Sequence, residues 1–130
     1  GAGVKVNIFP ADDYFKSMAQ AILVSDTTIR ERPELVRKLV RATLRGLKVV
    51  MDDPAAASVE YVKAIPQHKG KEKAMEHTFR LYNKYVYPGQ KVLGAMDPER
   101  LAALQKFYVD QGILRRSLPL SDLYTNEFVE

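Results

Sequence analysis

The sequence predicts an α/β fold that is mostly helical, with about two strands near its start. Three observations carry that expectation. Residues 4–8 and 19–24 have the apolar patterns of strands. Apolar residues then recur at helical spacing from Leu35 to Tyr108. The pairs Asp53-Pro54 and Asp97-Pro98 mark helix starts, with Asp as the cap and Pro at the first helical position.

Val4, Val6 and Ile8 alternate with Lys5 and Asn7, the period of a half-buried strand that Phe9-Pro10 ends. Residues 11–16 form a polar and aromatic loop. Residues 19–24 are nearly all apolar, as in a strand covered on both faces. Two strands alone make a marginal sheet in water, so these two need neighbours that the chain does not supply. That shortage points to a fragment of a larger fold.

Asp26 is placed to cap a helical turn over residues 27–31. Pro33 opens the main helix. Its stripe is Leu35, Val36, Leu39, Val40, Thr43, Leu47, Val50 and Met51, with Arg37, Arg41, Arg45 and Lys48 opposite. Gly46 inside this helix costs about 1 kcal/mol against Ala, which suggests close approach of another backbone. The helix from Pro54 buries Val59, Val62 and Ile65 and stops at Pro66. A helix over residues 71–86 puts Met75, Phe79, Tyr82 and Val86 on one face before Tyr87-Pro88-Gly89. The last helix starts at Asp97 with Leu101, Leu104 and Tyr108 as its stripe. Gly112 suits the left-handed position beyond its end, and Ile113 folds back on Tyr108. The tail is extended, with one turn from Ser121.

At 130 residues, 46% hydrophobic and 28% charged, the chain fits one folded domain, and its composition argues against disorder. A net charge of +4 raises nucleic acid as a partner. The basic residues alternate with acidic ones and carry no interleaved aromatics, so the stripe reads as a solvated face and no nucleic acid is expected. Without cysteine there are no disulfides and no thiolate chemistry. His68 and His77 lack placed carboxylates, so no metal is expected. No phosphate loop or nucleophile elbow is present, so no cofactor and no catalysis are expected. Asp12, Asp13, Tyr14 and Phe15 are the candidate ligand-binding residues. They join the two expected strands, and acidic groups beside two aromatics suit a flat, hydrogen-bond-donating ligand. An ordinary polar crossover with two aromatics tucked beneath it fits the same residues equally well.

Three stretches, in order, carry a resemblance. They are Pro33-Glu34-Leu35-Val36 through Arg41-Ala42-Thr43-Leu44-Arg45-Gly46-Leu47 to Asp53-Pro54; Asp97-Pro98-Glu99-Arg100-Leu101 to Gln111-Gly112-Ile113; and Asp122 to Phe128. Together they resemble the closing half of NMT1/THI5-like substrate-binding proteins of ABC importers. The resemblance implies the C-terminal fragment of a two-lobed periplasmic-binding-protein type II fold. Residues 1–25 would hold inter-lobe strands and a crossover, and residues 26–130 the helical part. It further implies lobe closure on a small molecule (a thiamin pyrimidine precursor, sulfonate, taurine or nitrate). The full-length protein would have an ABC permease as partner and lie in the periplasm or outside the cytoplasm, lipid-anchored in a Gram-positive cell. Loop residues 12–15 would edge the cleft. An enzyme branch of these proteins has a histidine and a cysteine-rich segment without counterpart here. The fragment is expected to dimerise or exchange strands through its open edges. Two alternatives stay open: a self-standing helical interaction module, and a nucleic-acid binder acting through the basic helix.

Overall fold

The computed structural model describes residues 5–10, 13–15 and 20–129. Among the described residues five α-helices form: α1 (Asp26–Glu31), α2 (Pro33–Asp52), α3 (Pro54–Ala64), α4 (Glu72–Tyr85) and α5 (Pro98–Asp110). Short 3-10 turns follow at Pro66–His68 and Leu120–Asp122. By their contacts the residues divide into two compact units. One comprises residues 1–22 and 96–126, the other residues 23–95 and 127–130.

No strand forms among the described residues, which corrects the strand content of the expected α/β fold. Val6 and Ile8 are each 71% exposed and Leu23 is 91% exposed, and of the second segment only Val24 packs against the core. A strand exists through its ladder, and a chain whose other segments coil into helices offers no ladder partner. Val4 and Ala19, at the starts of the two expected strands, lie outside the described residues.

Local chemistry explains the helix boundaries. Ser25, not Asp26, caps α1: its hydroxyl accepts from the Thr28 N–H at 3.2 Å. The Asp53 carboxylate accepts from the Ala55 and Ala56 N–H groups at 3.1 and 3.0 Å. Asp97 does the same for Glu99 and Arg100 at 2.9 and 3.2 Å. Each Asp satisfies donors that the first turn leaves without a partner. At the far end of α5, Gly112 takes φ +70°. The Ile113 N–H then donates to the Tyr108 carbonyl at 2.8 Å and the Gly112 N–H to that of Val109 at 2.9 Å. This pair of bonds is the Schellman closure. The Ile113 side chain itself stays exposed.

In the unit of residues 23–95 and 127–130, the core is Val36, Val40 and Phe128, flanked by Val24, Ile29, Leu44 and Val129. Burying Phe128 contributes roughly 1.5–3 kcal/mol. The Arg37 guanidinium lies over its ring, 5.4 Å from the centroid. Only part of the expected α2 stripe is covered. Leu35, Leu39 and Val49 remain 45%, 50% and 54% exposed. Gly46 faces open space and makes no close approach to another backbone among the described residues.

The most extensive helix contact is between α3 and α4. The buried face of α3 is Pro54, Ala57, Ser58 and Val62, while Val59 is exposed and Ile65 half-buried. Small Ala57 and Ser58 admit the neighbouring helix, and the Ser58 hydroxyl donates to the Ala55 carbonyl at 2.8 Å. Tyr61 meets Phe79 edge to face at 5.6 Å. On α4, Tyr82 and Val86 lie exposed and Asn83 turns inward instead. Its amide donates to the Val50 and Met51 carbonyls at 3.3 and 2.9 Å, satisfying acceptors at the C-terminal end of α2.

In the unit of residues 1–22 and 96–126, two amides act as clasps. Gln105, 7% exposed, donates to the Leu118 carbonyl at 3.1 Å and accepts from the Leu118 N–H at 2.8 Å. Asn126 accepts from the Met96 N–H at 2.8 Å and donates to the Met96 carbonyl at 3.1 Å.

Two glycine substitutions should have opposite signs. Gly94 has φ +84°, and a Cβ there would run into the Leu44 side chain. Gly94→Ala should destabilise by about 2 kcal/mol or more. Gly46→Ala, in open helix, should stabilise by about 1 kcal/mol. Urea denaturation followed by helical circular dichroism measures both, and equal signs would contradict this packing.

Candidate functional site

The loop proposed to touch ligand is described in part. Asp12 lies outside the described residues. The Asp13 N–H donates to the Pro10 carbonyl at 3.1 Å, which closes a short turn, and Asp13 is exposed. Tyr14 is 76% exposed. Phe15 is half-buried and packs on Phe107 of α5, with ring centroids 4.7 Å apart and planes tilted by 36°. Phe107 in turn meets Tyr108 at 5.9 Å. Thus Asp13 and Tyr14 face solvent together, while Phe15 anchors the loop to α5. One aromatic of the loop is thus tucked under and the other is exposed.

A second place was not legible as a site. Beside the C-terminal half of α2, a groove of about 440 Å³ is lined by Lys48, Met51, Asp52, Tyr87, Gln90 and Leu93, among others. An adjoining hollow of about 380 Å³ is lined by Arg41, Leu44, Arg45, Lys48, Leu93 and Phe128. Gln90 shapes the turn that closes the groove. Its side chain accepts from the Gly94 N–H at 2.8 Å and donates to the Tyr87 carbonyl at 3.2 Å. Tyr87 meets Tyr82 edge to face at 5.9 Å. In sequence, Tyr87-Pro88-Gly89 signals only a helix stop, and Phe128 lies about eighty residues from Lys48. No local signal joins them.

Among the described residues, no group of three or more His, Cys, Asp or Glu side chains gathers to hold a metal. His77 is exposed, and His68 packs edge to face on Tyr61 at 5.4 Å. The basic stripe is partly engaged in packing. Arg37 pairs with Glu34 at 3.3 Å, and Lys48 pairs with Asp52 at 2.8 Å. No helix among the described residues is long and apolar enough to cross a membrane.

Comparison with known proteins agrees with the resemblance. Residues 1–57 match the family model described as NMT1/THI5 like. Over 134 aligned positions, covering 99% of this chain, the sequence is 31% identical to the riboflavin-binding protein RibY of Chloroflexus aurantiacus. The chain spans 38% of that relative's length. No solved structure matches it.

Tyr87 yields a pH signature. Burial first, and the nearby Tyr82 second, raise its phenol above the ordinary value of 10.0. The folded state therefore prefers the neutral phenol. Stability from this preference is complete below the unfolded value and is lost as pH rises through the folded one. Tyr87→Phe should remove that alkaline loss. Denaturation midpoints taken on either side of pH 10 measure it, and an unchanged alkaline slope in the variant would contradict the assignment.

Proposed function

The chain is related to the NMT1/THI5-like proteins, and from that premise we propose that it is the C-terminal portion of a solute-binding protein that takes up a small flat solute without catalysis. The observation that carries this reading is the similarity to a riboflavin-binding protein along nearly the whole chain. That relative makes riboflavin the first solute to try. The thiamin pyrimidine, sulfonate, taurine and nitrate classes follow from the wider family. In this reading residues 1–25 would provide inter-lobe strands and a crossover only in the complete protein. The complete protein works outside the cytoplasm and hands its solute to an ABC permease.

Loop residues Asp12, Asp13, Tyr14 and Phe15 would edge the cleft. Tyr14 offers an open ring face for stacking, and Phe15 holds the loop against α5. Asp13 and Asp12 would accept hydrogen bonds from the solute's edge. Closure would follow from tighter binding to the closed arrangement.

Saturable quenching of riboflavin fluorescence by the complete reading-frame product tests this. Tyr14→Ala should weaken binding about tenfold, within the worth of one stacked aromatic. The 130-residue chain alone should bind far more weakly, for want of the facing wall. Absence of binding by the complete protein to riboflavin and to each of the other four classes would overturn the reading.

The exposed apolar residues Leu23, Leu35, Leu39 and Val49 lead to a further expectation. Apolar surface left open favours association, so the isolated chain should self-associate. Light scattering after size exclusion reads the mass. Leu35→Lys with Leu39→Lys should return it to a monomer. A wild-type chain that is already a cooperative monomer would favour the self-standing helical module instead.

A further inference from the structure

Sequence alone finds no aromatic residue interleaved with the basic stripe of α2. The fold brings them from elsewhere. Phe128 lines one end of the hollow beside Arg41 and Arg45, and Tyr87 lines the adjoining groove beside Lys48. The two hollows share Lys48 and Leu93, so they adjoin along α2. Leu44, Leu93 and Met51 give them an apolar lining, and Arg41, Arg45 and Lys48 a cationic one, with the Asp52 carboxylate held by Lys48.

We propose that this groove binds a small amphiphilic anion, a planar apolar body carrying a tetrahedral oxyanion, such as an aryl phosphate. Three arguments choose that occupant. The first is charge. Arg41, Arg45 and Lys48 all line the second hollow. Arg45 has no ion-pair partner among the described residues, and Lys48 reaches only Asp52, at 2.8 Å. The second is geometry. Arg45 and Lys48 are three residues apart on one helix, neighbours on its surface, and both line the same hollow. The guanidinium supplies a planar fork and the ammonium a point charge, the usual pair of phosphate contacts. The third is size and lining. Each hollow lies within the roughly 300–1,000 Å³ of small-molecule sites. Leu93 and an aromatic at either end suit a ring, not an extended polar chain. A free inorganic anion would leave that apolar lining uncovered, and a neutral ring would leave Arg45 unanswered.

This site lies wholly in the unit of residues 23–95 and 127–130 and uses none of residues 12–15. It therefore shares no residue with the loop proposed above to edge the solute cleft.

Naphthyl phosphate, naphthol and inorganic phosphate, titrated separately into the 130-residue chain, test the proposal. Nuclear magnetic resonance shifts of the Leu44 and Leu93 methyls and of the Gly94 amide locate any binding. Naphthyl phosphate should move these signals saturably and bind about tenfold or more tighter than either half-molecule, as expected when a charged contact and an apolar one act together. Arg45→Gln with Lys48→Gln should abolish that advantage while circular dichroism stays unchanged, since both side chains are exposed. Lys73→Gln on exposed α4 surface should change nothing. Equal binding of naphthol would reduce the groove to an apolar patch, and equal binding of phosphate would reduce it to a charged one. An equal loss in the Lys73 variant would make the effect diffuse charge. A DNA duplex that displaces naphthyl phosphate, with affinity falling steeply in salt, would assign the stripe to nucleic acid. Any of these four outcomes overturns the proposal.

Discussion

The seating of Phe128 on Val36 and Val40 of α2 is the constraint on which the helical unit of residues 23–95 and 127–130 depends. It joins the end of the chain to its longest helix. Once the ring is in place, one edge of α2 is decided. Leu44 and Val129 pack beside it, and Arg37 closes over its face. The same contact makes a wall of the hollow at Arg45. Asn83 adds a second fixed point by capping the other end of α2. Between these two ties the helix is held without help from any strand among the described residues.

What sequence revealed and what it missed divide along one line. Features settled within one helical turn were legible. The Asp-Pro starts of α3 and α5, and the Gly112 closure of α5, need only neighbours two to five residues away. Features settled by distant residues were not. The α2 stripe is about half a helix wide in sequence, and nothing local says that Val36 and Val40 are covered while Leu35 and Leu39 are open. That choice belongs to Phe128. Gln105 reads as a surface residue, yet it is buried because the Leu118 backbone needs both of its polar atoms. Strand patterns were read correctly as apolar but lacked ladder partners. Of the loop at residues 12–15, its aromatic content was legible. That Phe15 is anchored while Tyr14 is presented depends on Phe107, which is far off in sequence.

These observations share a consequence for function. Well-capped helices hold their own packing, while the apolar segments before α1, Val24 excepted, stay exposed among the described residues. A binding cleft built by lobe closure requires a wall on each side. The described residues supply one candidate edge, at Asp13 and Tyr14, attached through Phe15 to α5. Solute capture in this account is therefore a property of the complete assembly. The groove along Arg45 and Lys48 is made within one unit and needs no second wall.

Amide hydrogen exchange on the 130-residue chain tests most directly the claim that helices stand here without a sheet. Slow exchange should be confined to helical amides, with the strongest protection around Val36 and Val40. Amides of residues 5–9 and 20–23 should exchange as in an unfolded peptide. Protection in those two segments equal to that of α2 would mean that they are paired in a ladder, and would contradict the account.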